Sequence, residues 1–188
     1  MRRAAIVSCL ICVSPGAAAQ EQGHTASPAQ EERAVTQTIY NYRKVDDQFI
    51  TAGQPQEEQL RAAAAEGFKQ VINLAPTSSR NALPDEAGLV RSLGMGYHYI
   101  PVDWEKPTTA DFEAFERAMG AVGDQKTIVH CAANFRASAF YSLYAIKHLG
   151  WSAERAQEFR AAIWKGSDYP VWEAFIEQTR TQIQSSAQ

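Results

Sequence analysis

One stretch concentrates the residue types that do chemistry: Ile128-Val129-His130-Cys131-Ala132-Ala133-Asn134-Phe135-Arg136-Ala137-Ser138. Thr127-Ile128-Val129 reads as a strand buried at the centre of a sheet. The uncharged run from Ala137 to Ile146 reads as a buried helix. Cys131 therefore stands between a strand end and a helix start, at the edge where open α/β sheets bind ligands. Backbone N–H groups at a helix start lack intrahelical partners, and with the helix dipole they form an anion site. The same positive environment favours thiolate over thiol, which makes Cys131 a candidate nucleophile. Arg136 lies five residues on, and its planar fork can grip two oxygens of a phosphoryl group from the far side of a tight loop. The backbone from Ala132 through Ala133, Asn134, Phe135, Arg136 and Ala137 to Ser138 is the expected phosphate cradle.

The flanking pattern predicts what holds this loop. Phe49 to Ala52, Val71 to Leu74 and Tyr97 to Val102 read as strands, and helical patterns separate them. A helix is expected from Pro55 to Ala65 with Gly67 as its stop, and a short one from Glu86 to Leu93 stopped by Gly94. Thr108 with Asp111 forms a capping-box pattern before a stripe of Phe112, Phe115, Met119 and Val122. Two more helices follow, from about Ala153 to Trp164 and from about Pro170 to Gln182. Strands alternating with helices specify one α/β domain. Its sheet is expected to hold about four to five largely parallel strands, with helices on both faces.

The 188 residues carry a net charge of −3, 45% hydrophobic and 21% charged residues, which fits a globular chain and not one that coats nucleic acid. Arg2 and Arg3, the apolar run Ala4 to Val13 and the small residues Ala17-Ala18-Ala19 have the layout of a cleavable export signal over 1–19. The run is too short to span a bilayer, so a periplasmic or secreted protein without stable membrane insertion is expected. Cleavage after Ala19 would leave 16 basic against 21 acidic residues, a net charge of −5. Residues 20–36 read as a flexible leader, 37–184 as the domain and 185–188 as a tail. Cys9 and Cys12 leave with the signal, so Cys131 is the one thiol of the mature chain and cannot form an internal disulfide. His24, His98 and His148 have no partners at metal-ligand spacing, and neither a metal nor a cofactor is expected. Trp151, Trp164 and Trp172 read as core.

The Cys131-x4-Arg136 loop resembles that of the beta-lactamase hydrolase-like phosphatase family, bacterial relatives of the dual-specificity phosphatases. The larger tyrosine phosphatase superfamily usually has five residues in that gap. Phe49-Ile50-Thr51-Ala52-Gly53-Gln54-Pro55, Val71-Ile72-Asn73-Leu74 and Tyr99-Ile100-Pro101-Val102 occur in the family's order, so the resemblance covers most of residues 45–150. It implies a phosphatase-like fold and hydrolysis of phosphate monoesters through a phospho-cysteine. It also implies a general acid on the loop after the third strand, where Asp103 is the candidate and Glu105 the reserve. Trp104 would then pack over the site. The plain alternative leaves Asp103 solvated and Trp104 in the core. His130 takes a supporting role beneath the loop.

Two positions depart from the family pattern. Asn134 stands where Gly is usual, and Asn is the non-glycine residue that best tolerates a positive φ. Ala137 stands where a Ser or Thr normally follows the Arg and bonds the cysteine sulfur. Ser138 is one residue further on, a rotation of about 100° around a helix. The leading expectation is an exported cysteine-dependent phosphatase acting on a phosphoprotein, a phospholipid or a small phosphate ester. A rhodanese-like sulfurtransferase shares the loop spacing but needs no acid at Asp103. A pseudophosphatase that binds phosphorylated ligands without turnover is the third expectation, kept open by Ala137.

Overall fold

The computed structural model describes residues 35–165 and 169–186. The expected export signal, the leader through residue 34 and the last two residues of the tail lie outside the described residues. Val35 to Gln37 form a helical turn, and Thr36 and Ile39 are buried.

Among the described residues five strands form one sheet in the order β1-β2-β5-β3-β4. They are β1 (Arg43–Lys44), β2 (Phe49–Ala52), β3 (Gln70–Asn73), β4 (Gly96–Tyr99) and β5 (Thr127–His130). All neighbours run parallel except β1, which pairs antiparallel with β2. The sequence gives no warning of β1, because two charged residues carry no hydrophobic period. Among the described residues six helices connect and follow the strands: α1 (Glu57–Ala65), α2 (Glu86–Ser92), α3 (Thr109–Val122), α4 (Phe135–His148), α5 (Ala153–Trp164) and α6 (Pro170–Ser186).

The period of two along each strand divides the core into two layers. Ile50, Val71 and Ile128 are in register and point to one face, where Leu60, Ala63, Phe68, Val90 and Met95 cover them from α1, α2 and the segments after them. Ile72 and Val129 point to the other face, against Phe112, Phe115 and Met119 of α3 and Phe140 and Leu143 of α4. Helices therefore cover both faces, as parallel strands require. The expected capping box holds α3: the Thr108 hydroxyl accepts from the Asp111 amide at 3.2 Å, and the Asp111 carboxylate accepts from the Thr108 amide at 2.9 Å.

α4 begins two residues earlier than the hydropathy pattern suggests, at Phe135. Asn134 supplies the reason. It takes a left-handed conformation, φ 68°, so the chain turns out of the loop in one residue and the helix starts at the next. Residues 136 to 143 of α4 are buried, which places this helix between the sheet and the later helices α5 and α6. All four parallel strands end at one edge of the sheet. There the loops after β2, β3, β4 and β5 meet.

Candidate active site

The Cys131 amide donates to Ala52 O at 3.2 Å, the last sheet-like bond before the chain leaves β5. From there the loop carbonyls are tied outward. Ala132 O accepts from the Gln54 amide at 3.2 Å and from Asn81 Nδ2 at 3.1 Å. Ala133 O accepts from Asn41 Nδ2 at 3.0 Å, and Asn134 Nδ2 returns a bond to Asn41 O at 2.6 Å. Gly53 lets this clamp close, because a Cβ there would sit 2.9 Å from Tyr40 O and 3.2 Å from Ala132 O. With the carbonyls occupied, the amides remain. Among the described residues those of Ala132 and Ala133 have no acceptor. Those of Phe135, Arg136 and Ala137 precede Ser138, whose amide makes the first intrahelical bond, to Asn134 O at 2.9 Å.

A cleft of about 290 Å³ opens at this loop, lined by Trp104, Cys131, Ala132, Ala133, Phe135, Arg136 and Tyr169. Cys131 is a free thiol, 1% exposed. Arg136 is 8% exposed and its guanidinium carbon lies 5.2 Å from the Trp104 ring centroid, a cation–π contact. Its Nε is buried with no acceptor among the described residues. A buried, charged donor left open beside a thiol and free amides is an arrangement that an oxyanion satisfies.

The remaining candidates fall in three places. Asn134 shapes the loop through its backbone and through its bond to Asn41. Ala137 and Ser138 are fully buried behind it. The Ser138 hydroxyl donates to Phe135 O and accepts from Trp164 Nε1, both at 3.1 Å, so it is committed away from the cleft. Asp103 and Glu105 are exposed and line no part of the cleft. Asp103 Oδ1 instead accepts the Glu105 amide at 2.9 Å, folding the carboxylate onto its own loop. Trp104 between them turns inward because its carbonyl accepts from Trp172 Nε1 at 2.8 Å.

Beneath the loop lies a network around His130 whose other members carry no local sequence mark. Glu86, 5% exposed on the first turn of α2, accepts from His130 Nε2 at 2.7 Å, from Gln54 Nε2 and from Asn73 Nδ2 at 3.3 Å. The Tyr97 hydroxyl joins the network by accepting from Asn73 Nδ2 at 2.9 Å. Burial pushes the Glu86 carboxyl up, but its neighbour His130 and the bonds from His130 and Gln54, with the Tyr97 hydroxyl nearby, outweigh it and leave it below the usual carboxylate range. The Tyr97 hydroxyl is pushed up to about 12, first by burial and then by the Glu86 charge. His130 precedes Cys131, and the Gln54 amide holds Ala132, so one buried carboxylate ties together both flanks of the loop. No sequence pattern marks Glu86, which looks like an ordinary first-turn acid.

The phosphatase-like domain of the beta-lactamase hydrolase-like proteins matches residues 41–147, more than half of the chain. The chain belongs to that family. Beta-lactamase hydrolase-like proteins from Xylella fastidiosa (strain Temecula1) and Agrobacterium fabrum (strain C58) are 30% and 31% identical to it over 102 and 103 residues, 53% of this chain in each case. The chain spans about a quarter of those relatives' length, 23% and 24%. The crystal structure of a candidate phosphatase (DUF442) from Shewanella putrefaciens CN-32 is 37% identical, with a TM-score of 0.72 over 78% of this chain and 92% of that one. Tk-PTP in its active form shares the fold, with a TM-score of 0.61 over 75% of this chain and 97% of that one at 15% identity. The domain is thus phosphatase-like in family and fold. Within it, the match to the beta-lactamase hydrolase-like family ends inside α4, before α5 and α6.

Proposed function

We propose that the chain is an exported, cysteine-dependent phosphatase that hydrolyses phosphate monoesters. The observation that carries this reading is the buried Arg136 Nε with no protein acceptor, in the same cleft as Cys131 and next to the open amides of the loop. In the proposed reaction the Cys131 thiolate attacks phosphorus. A sulfur–phosphorus bond forms as the ester P–O bond breaks, and the leaving oxygen takes a proton. Water then attacks phosphorus, the sulfur–phosphorus bond breaks, and phosphate leaves with the thiolate restored. Arg136 and the amides hold the non-bridging oxygens through both steps, where charge accumulates.

Asp103 is the proposed proton donor. Its loop is the one that sets Trp104 in the cleft, and only its Oδ1 is engaged, by the Glu105 amide. Catalytic hydrogen bonds often form only with substrate in place. A weaker enzyme, or a phosphate-binding pseudophosphatase, is favoured by one observation. Ala137 offers no hydroxyl, and that of Ser138 is spent on Phe135 and Trp164.

The deciding experiment measures aryl-phosphate hydrolysis by the purified mature chain and by Cys131→Ser, beside thiosulfate-to-cyanide sulfur transfer. Hydrolysis that disappears in Cys131→Ser supports the proposal. Sulfur transfer without hydrolysis, or hydrolysis that survives the substitution, overturns it. Among the described residues no helix is long and apolar enough to cross a membrane.

A further inference from the structure

Helices α5 and α6 lie beyond the segment matched by the family, yet they build one side of the cleft. Tyr169, the residue before α6, lines it directly. Its ring stands edge-on to Trp104 at 5.0 Å and 5.4 Å from Phe135, and Trp164 of α5 backs it at 5.6 Å. Trp172 of α6 is fully buried, stacks on Trp104 at 5.2 Å and holds the Trp104 backbone through its indole N–H. The backbone carbonyl of Tyr169 accepts from the amides of Trp172 and Glu173 at 2.9 and 3.0 Å, so the ring is anchored to the first turn of α6. Trp104, Phe135 and Tyr169 thus form a three-ring wall around Cys131, held from behind by the C-terminal helices.

The rest of the lining is sparse. Ala132 and Ala133 add small apolar surface, and Arg136 is the one cationic side chain among the lining residues. One guanidinium with the loop amides suits one phosphoryl group. The lining offers no second cation for another phosphate and, apart from the Tyr169 hydroxyl and the Trp104 indole N–H, no neutral polar side chain for the hydroxyls of a sugar.

We infer that Tyr169 is a specificity-determining residue, and that the wall it completes selects monophosphates carried on a flat, apolar group. This inference rests on the phosphatase reading for its substrate, but it concerns recognition and can be tested by binding alone. The full chain carrying Cys131→Ser is titrated with 1-naphthyl phosphate, glycerol 3-phosphate and inorganic phosphate. The naphthyl ester binds tightest of the three. Adding Tyr169→Ala weakens the naphthyl ester by about three- to tenfold, the span of one aromatic contact. The same change leaves inorganic phosphate unaltered, which also shows that the loop is intact. Tyr169→Phe retains tight naphthyl binding, because the ring and not the hydroxyl makes the wall. Equal affinity for all three ligands overturns the inference, as does an equal loss for ester and phosphate in Tyr169→Ala. Failure of the phosphatase reading shows separately, as wild-type protein that hydrolyses none of the esters while the binding preference stands.

Discussion

Glu86 offers the sharpest test of how the Cys131 loop is held. Replacing it with Ala removes the acceptor of His130 Nε2, Gln54 Nε2 and Asn73 Nδ2, all from buried residues. Each buried donor left without a partner costs about 1–3 kcal/mol. These costs do not simply add, because Asn73 Nδ2 keeps a bond to Tyr97 Oη at 2.9 Å and Gln54 Nε2 keeps one to Pro55 O at 3.3 Å. A loss of about 2–4 kcal/mol is therefore expected, a large share of the roughly 5–15 kcal/mol that holds a domain together. Glu86→Gln keeps the shape and one accepting oxygen but turns an NH₂ toward other donors, and about 1–3 kcal/mol is expected. Urea unfolding followed by fluorescence measures both. A cost below about 1 kcal/mol for Glu86→Ala would mean that the network is decorative.

The pH dependence has a fixed sign. The folded-state pKa of Glu86 lies below its ordinary value of 4.5, so its contribution is present above that value and is lost as pH falls through the folded pKa. The stability gap between wild type and Glu86→Gln should therefore close on acidification. A gap unchanged down to the acid limit of folding would refute the argument.

The other variants divide the site by role. Arg136→Ala should damage both phosphate binding and turnover of an aryl phosphate, and an effect on neither would remove it from the site. Asp103→Asn should lower kcat by about 10²- to 10⁴-fold for alkyl esters and far less for nitrophenyl phosphate, whose leaving group needs little protonation. An equal loss for both substrates would exclude Asp103 as the acid. Ala137→Ser should raise kcat and shrink any burst of product if breakdown of the phospho-cysteine limits the rate; an unchanged burst would place the slow step elsewhere. The exported protein should begin at Gln20, and periplasmic material whose mass includes Met1 would refute the signal reading.

The parts of the fold that the sequence makes legible are those with a strong period or a local chemical signal. The strands at Phe49 and Thr127, the Thr108 capping box and the helix over Ala153–Trp164 all appear where their patterns place them. Those signals act within a few residues, so no tertiary knowledge is needed to read them. β1 is invisible for the opposite reason. Arg43 and Lys44 become a strand only because Ile50 and Thr51 lie opposite. The same divide runs through the site. Cys131 and Arg136 announce themselves by spacing, whereas Glu86, Asn41, Asn81 and Tyr169 reach the loop from distant segments and carry no local mark.

Ser138 shows how little separation decides the outcome. One residue nearer, its hydroxyl would stand where the family pattern places the group that bonds the cysteine sulfur. At position 138 the helix turns it by about 100°. There it meets Phe135 O and the Trp164 indole, and it fastens α4 to α5. The hydroxyl is not missing from the protein but has been assigned to packing. Its partner Trp164 backs Tyr169, whose ring faces the cleft. The departure at Ala137 and the aromatic wall are thus joined through Ser138, Trp164 and Tyr169. Restoring chemistry at 137 leaves Ser138 free to keep holding α5, so Ala137→Ser tests turnover without loosening the wall.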